Sequence, residues 1–484
     1  MIVFELGSCL WSPEQVHEAV EARDQPVLVE VAVRREFRGV WVATVANINF
    51  PSKPGLSPDA LAGELDRIVE ASADAGFNAI VFQVRPEGDA LYRSELEPWS
   101  RFLTGKQGGD PGIDPLAYLV SAAHSRNVEV HAWFNPYRAK STVSAEAVAP
   151  HVTVTHPDVV RRVGNLVWMD PGSEIVRKRT LEVVLDVSRR YDVDGIHFDD
   201  YFYPYPDPSG KDFPDTSTFA SYQQAGGLLE RADWRRANVN ALVEQVGTGI
   251  AASRAWVRFG ISPFGIYRPG FPEGVTGFDQ YARLYADPVA WLDAGWVDYV
   301  APQLYWPTSA PRQPYNPLLA WWAGRSVGGR HVFAGNFLAA LGTKPQWTVD
   351  EFRAQLDGTR LAQKSGATGN IFYHIGPILH NQDRIAEVFR DELYAEPAVT
   401  PALAGSRPSA APPVVEVVGA GLRLTPADVV PPRSYVVYRP EAEGWVLERL
   451  LPGDTATVDL PPGHWAISAV NRFGDESPGV LVAL

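Results

Sequence analysis

The stretch VDGIHFDDYFYPYP, residues 193–206, carries the densest chemistry in the chain. Two consecutive aspartates, Asp199 and Asp200, end an apolar run and lead into tyrosines and prolines. A strand that only fills a core has no use for adjacent carboxyls at its end. Hydrolysis of a glycosidic bond does. One carboxyl protonates the leaving oxygen, and the other attacks the anomeric carbon or activates water. If the run is a strand, Ile196 and Phe198 share one face and Gly195, His197 and Asp199 share the other. Asp199 then projects away from the apolar face, with Asp200 on the loop beside it.

The same alternation assigns polar faces elsewhere. NAIVFQV (78–84) turns Gln83 and then Arg85 to that side, and Glu87 and Asp89 follow. VEVHAWF (128–134) turns His131, Trp133 and then Asn135; WVRFGIS (256–262) turns Arg258 and Ser262. VDYVAPQLY (297–305) turns Gln303 and Tyr305, and GNIFYHI (369–375) offers His374 or Tyr373. Polar and aromatic side chains beside a carboxylate suit a sugar, whose hydroxyls take hydrogen bonds and whose C–H face stacks on Trp or Tyr. The partner acid is open among Asp200, Asp89, Glu87, Glu273 and Asp279. Asp89 ranks with Asp200, although an ion pair with Arg85 or Arg138 would equally explain it. Arg85, Arg138, Arg258 and Arg268 could together bind a substrate carboxylate or simply neutralise the aspartates. The loop FGIYRPGFPEG (264–274), with Tyr267, and the YFYPYP run are expected to wall the cleft.

These residues need a scaffold that brings strand ends together. Eight apolar runs, starting with RGVWVATV (38–45) and ending with GNIFYHI, alternate with amphipathic helical segments between residues 37 and 394. Strand–helix alternation implies parallel pairing through right-handed crossovers, and eight units over this length predict a (β/α)₈ barrel, an α/β fold. The glycine-rich phosphate turn of an open doubly wound sheet is missing after the first run. Active residues of such barrels sit at the C-terminal ends of the strands, where Asp199 falls. Residues 1–36 form an N-terminal extension, with a helix expected over Pro13–Arg23 and a strand over Val27–Val33. Residues 395–413, rich in Pro, Ala and Ser, read as a linker. Residues 414–484 show only short strands and turns, predicting a small β-sandwich.

Composition narrows the function. The net charge of −14 over 484 residues argues against nucleic acid, which needs clustered Lys and Arg. No apolar run approaches the ~20 residues of a membrane span. Cys9 is the single cysteine, so no internal disulfide forms. The first residues, MIVFELGSCLWSPE, lack the pattern of a secretory signal. His131, His197 and Asp199 match no recognised metal-ligand spacing, and no GxSxG, Walker or HExxH motif occurs. Carboxylate chemistry without cofactor or metal is therefore expected.

The motifs FRGVWVATVANINFPS, FQVRPEGDALY, AWFNPYR, VDGIHFDDYFYPYP, GISPFGIYRPG, WLDAGWVDYVAPQLYW and GNIFYHI resemble the glycosyl hydrolase-like 10 family, over roughly residues 36–392. The resemblance implies a bacterial barrel glycoside hydrolase of the cell envelope, acting on cell-wall glycan. Its motif residues at strand ends are Arg85, Asp89, Asn135, Tyr137, Arg138, His197, Asp199, Asp200, Gln303 and Tyr305, with Trp306 adjoining. DGIHFD also resembles the strand-four motif of the alpha-amylase superfamily, with Asp199 at the nucleophile position and His197 in place of an arginine. AISAVNRFGDESPG resembles the end of a fibronectin type III domain. The competing reading is a non-catalytic glycan-binding barrel of the cell wall.

Overall fold

Eight short parallel strands close on themselves in the computed structural model, which describes residues 26–405, 407–442 and 444–484. The strands are β1 (Phe37–Val42), β2 (Ala79–Arg85), β3 (Glu129–Phe134), β4 (Gly195–Phe198), β5 (Arg258–Ile261), β6 (Tyr299–Val300), β7 (His331–Asn336) and β8 (Ala367–Tyr373). Each pairs with its sequence neighbours, and β8 pairs with β1 to complete the circle. This is the expected (β/α)₈ barrel. The expected helix over Pro13–Arg23 and Cys9 lie outside the described residues.

Strand parity divides the core in two. Val40, Val42, Ile80, Phe82, Val130, Ala132, Ile196 and Phe198 face outward and pack with the surrounding helices in one large cluster. Phe37, Trp41, Val81, Trp133, Tyr299, Phe333 and Ile371 face the lumen and form a second cluster. The outer faces are Val, Ile and Phe because β-branched and aromatic side chains fill a pleated surface against helices. The helices show the matching stripe: Pro58–Asp74 buries Leu61, Leu65, Ile68 and Val69, and its N-cap Ser57 accepts a hydrogen bond from the Ala60 amide at 3.2 Å.

Two features of the barrel escaped the sequence reading. The segment after β3 folds a small antiparallel sheet from Arg138–Lys140, Val160–Val163 and Leu166–Met169. A short helix, Thr216–Gln224, precedes the helix Arg231–Ser253. Both lie in loops long enough to build structure without the hydrophobic periodicity that marks a barrel element.

The chain divides into two units, one of residues 37–123 and 128–395, the other of the described residues 26–36, 124–127 and 396–484. The second unit has two antiparallel sheets. One orders Leu28–Val29, Gly479–Ala483, His464–Val470, Ser434–Glu441 and Gly444–Pro452; the other orders Val414–Val418, Gly421–Thr425 and Thr457–Asp459. Leu422, Leu424 and Val458 of the smaller sheet share a core with Tyr435, Val437, Ile467 and Val482 of the larger. The stretch rich in Pro, Ala and Ser is bound into this unit. Val399 N donates to Arg34 O at 3.0 Å, Glu36 N donates to Val399 O at 3.1 Å, and Leu403 is buried.

Candidate active site

Asp199 follows β4 directly and turns into the lumen as its parity requires. Its carboxyl is held from β3. Trp133 Nε1 donates to Oδ2 at 3.0 Å, and Asn135 Nδ2 reaches Oδ2 at 3.2 Å and Oδ1 at 3.3 Å. Asn135 is itself fixed, because its Oδ1 accepts from the Arg138 amide at 2.7 Å. Asp199 keeps 5 % exposure. Burial pushes its carboxyl up to about 7; Arg138 opposes the rise and Asp200 adds to it.

Asp200 is held by different residues. Tyr205 donates its hydroxyl to Oδ2, and Gln303, beyond β6, bonds the same carboxyl. Burial raises this carboxyl too. Two acids on consecutive residues are thus drawn toward different parts of the barrel rim.

Arg138 is the cation that acts on both carboxyls among the described residues. Its Nε donates to Pro86 O at 2.9 Å, and its guanidinium lies 5.1 Å over the Tyr201 ring. It has no ion-pair partner among the described residues, and it favours the ionised form of both Asp199 and Asp200. A stack of rings forms one wall: Tyr305 lies 5.0 Å from Phe337 and 5.9 Å from Tyr373, with interplanar angles of 20° and 29°. Tyr373, the choice left open on β8, feels both Asp199 and Arg138. Trp306, half-buried, meets Phe264 edge-on at 5.7 Å.

Other candidates lie elsewhere. A β-bulge between Gln83 and Arg85 sets Arg85 opposite the outward Phe134, so Arg85 leaves the lumen. It pairs with Glu97 at 2.5 Å, both side chains fully buried. Against the burial that would raise it, the Arg85 guanidinium holds Glu97 below the usual carboxylate range. Gln83 is also buried, and its Oε1 accepts from the Thr44 and Val45 amides at 2.9 Å each. Tyr137 is sealed in the main core. Asp89 is fully buried and accepts from the Glu87 amide at 3.1 Å; burial and Glu87 push it up to about 7. It belongs to its own loop, so the expectation that it faces the mouth is corrected. Glu87 binds Arg101 and the Ser141 amide.

The remaining arginines do not gather with Arg138. Arg258 lies beside Glu129 at the N-terminal end of the lumen, 3.8 Å away, and Arg268 pairs with Asp279 at 3.9 Å. Asp279 also caps the short helix that follows it, and Glu273 is exposed. Tyr267 stacks on Trp321 of the outer helix Tyr315–Ala323 at 5.6 Å and donates to Asp287 Oδ1 at 3.1 Å, so it does not join the mouth.

His197 and His131 have both ring nitrogens engaged in the lumen, the first by Trp41 and Tyr299, the second by Tyr299 and Glu129. That use of both nitrogens accounts for the histidines without a cation. Trp41, Tyr201 and Tyr299 were not singled out from sequence. The available signal for Trp41 and Tyr299 was inward parity on β1 and β6.

The model of the family described as glycosyl hydrolase-like 10 matches residues 36–336. The chain is 37% identical over 390 residues to glycosyl hydrolase YngK of Bacillus subtilis (strain 168), covering 78% of this chain and 75% of that protein. It is 33% identical over 388 residues to glycosyl hydrolase DigH of Escherichia coli (strain K12), covering 73% of this chain and 86% of that protein. Among solved structures, the PgaB (BpsB) glycoside hydrolase domain from Bordetella bronchiseptica overlays with a TM-score of 0.49 at 13% identity, over 74% of this chain and 98% of that one. The chain belongs to the glycosyl hydrolase-like 10 family, and with it to the enzymes that hydrolyse glycosidic bonds.

Proposed function

We propose that this enzyme cleaves the glycan strands of bacterial peptidoglycan, with Asp199 and Asp200 as its cooperating carboxyls. The observation that carries the reading is the divergent tethering of two consecutive acids, Asp199 from Trp133 and Asn135, Asp200 from Tyr205 and Gln303. Such tethering suits two groups that must act on one bond from different directions. Asp199, raised to about 7, can carry a proton at neutral pH and pass it to the leaving oxygen. Asp200 then serves the anomeric carbon, directly or through water. In this reading Arg138, which has no ion-pair partner among the described residues, receives a substrate carboxylate such as the lactyl group of muramic acid. Tyr305 and Tyr373 offer ring faces to the sugar. The action is assigned to the cell envelope, where that glycan lies, and the C-terminal unit is read as fibronectin type III-like.

The test is incubation with purified peptidoglycan glycan, with and without stem peptides, followed by mass spectrometry of released sugars. New reducing ends that vanish with Asp199→Asn are expected. Binding of glycan without any release would replace this reading with a non-catalytic glycan-binding barrel.

A further inference from the structure

Below the two carboxyls, the lumen holds a row of hydrogen bonds that the acid chemistry does not use. Trp41 Nε1 lies 3.2 Å from His197 Nε2. His197 Nδ1 lies 2.9 Å from the Tyr299 hydroxyl, and the same hydroxyl lies 2.8 Å from His131 Nδ1. His131 Nε2 lies 3.2 Å from Glu129 Oε2, which faces Arg258. His131, His197 and Tyr299 are fully buried and Trp41 is 2 % exposed.

Two glycines make room for this row. A Cβ at Gly195 on β4 would come within 2.4 Å of His131 Nδ1, and a Cβ at Gly260 on β5 within 1.9 Å of the Tyr299 ring. The His131 and Tyr299 rings occupy the space those side chains would have filled.

The direction of every bond is forced. An indole N–H only donates, so His197 Nε2 accepts. The hydrogen of a neutral His197 is then on Nδ1 and goes to the Tyr299 oxygen. Tyr299 has one hydrogen, and it goes to His131 Nδ1. His131 therefore carries its hydrogen on Nε2, aimed at the Glu129 carboxylate. A doubly protonated His131 would point a second N–H at the Tyr299 oxygen and strand the hydroxyl hydrogen in a buried site, which is costly. A doubly protonated His197 would point N–H at N–H. Burial also holds His197 well below its usual range.

We propose that Tyr299 is a positioning residue of the active site: together with the Trp41 indole it holds His197 as the neutral Nδ1–H tautomer and, through that ring, fixes Trp41 as the floor beneath Asp199. His197 pairs in register with Trp133, whose indole holds Asp199, so the top of the row adjoins the carboxyl's own support. Trp41 also meets Tyr373 edge-on at 6.2 Å, which links the floor to the aromatic wall. His197, though two residues from Asp199, has no proton to give to substrate. This inference rests on the hydrolase reading of the site, but its first test does not.

That test is long-range ¹H–¹⁵N spectroscopy of the histidine-labelled full chain, which reads tautomers directly. His197 is expected as Nδ1–H and His131 as Nε2–H, both neutral. The opposite tautomer or a doubly protonated ring at either position overturns the proposal. Tyr299→Phe keeps the ring and removes both bonds. It is expected to lower kcat on the glycan by about tenfold to a hundredfold with KM nearly unchanged, and to leave the His197 Nδ1–H, still set by the Trp41 indole, without its acceptor. A Tyr299→Phe kcat equal to that of the parent enzyme would also overturn it. Should that variant fold poorly, Trp41→Phe opens the row from the other end: His197 is then expected to stay Nδ1–H, held by Tyr299 alone, and a shift to Nε2–H would overturn the proposal. An inactive parent enzyme would count against the hydrolase reading, while the tautomers would still decide the network.

Discussion

Trp133 and Asp199, neighbours on β3 and just past β4, are joined by a 3.0 Å hydrogen bond from the indole nitrogen to Oδ2. The bond favours the charged carboxylate, while burial of the same carboxyl favours the neutral acid. Burial, opposed first by Arg138 and then by this bond, leaves Asp199 near 7, where it can both release and regain a proton.

Removing the indole donor shifts that balance. Trp133→Phe takes one hydrogen bond from the charged form, so the Asp199 pKa rises further. A group that must be protonated to act loses activity as pH climbs through its pKa. The alkaline limb of kcat against pH is therefore expected to move to higher pH, by roughly half a unit to one unit for a bond of about 1 kcal/mol. An unmoved limb would assign the proton to another group.

Asp199→Asn and Asp200→Asn should each lower the release of reducing ends by about 10²–10⁴-fold, the usual contribution of a positioned proton carrier or more. Far-ultraviolet circular dichroism and glycan binding should stay unchanged, because the amide keeps the side chain's shape.

The same Asp199→Asn exchange should stabilise the fold at high pH. The unfolded carboxyl titrates near 3.8 and the folded one near 7. Between those values the native state binds more protons, so stability falls as pH rises through the window and is fully reduced above it. Urea denaturation at pH 8 is expected to show the variant more stable by on the order of 4 kcal/mol, with the gap closing toward pH 4. A constant gap at all pH values would contradict the linkage.

Arg85 and Glu97 should behave as a structural pair. Arg85→Met leaves Glu97 buried beside the more distant Arg179, at 3.6 Å. A loss of roughly 3–5 kcal/mol is expected in chemical denaturation, the range for breaking a buried ion pair. The double variant Arg85→Met, Glu97→Leu should recover much of it, since no charge is then stranded. Any loss of glycan affinity should track the fraction unfolded.

Alternation of apolar and polar residues determined a good deal by itself. It located all eight barrel strands, and it set Asp199 inward, because period two leaves a strand residue only two faces. The adjacency of Asp199 and Asp200 drew attention to that strand end while leaving the partner acid open, and the strand-end motifs pointed to the family. Tertiary structure decided which polar residues share that space. Gln83 has the same parity as Trp133 yet spends its oxygen on the backbone of the loop after β1. Arg85 was turned away by one bulge, a local slip of register that periodicity cannot reveal. Arg258 and Arg138 both belong to the lumen side, but they stand at opposite ends of the barrel, one beside Glu129 and the other over Tyr201. The floor made by Trp41, His197 and Tyr299 joins residues up to 258 positions apart in the chain, and it exists because Gly195 and Gly260 leave space in the lumen. Spacing along one chain carries no information about such a closure, because it is set by how eight strands stagger as they form a ring.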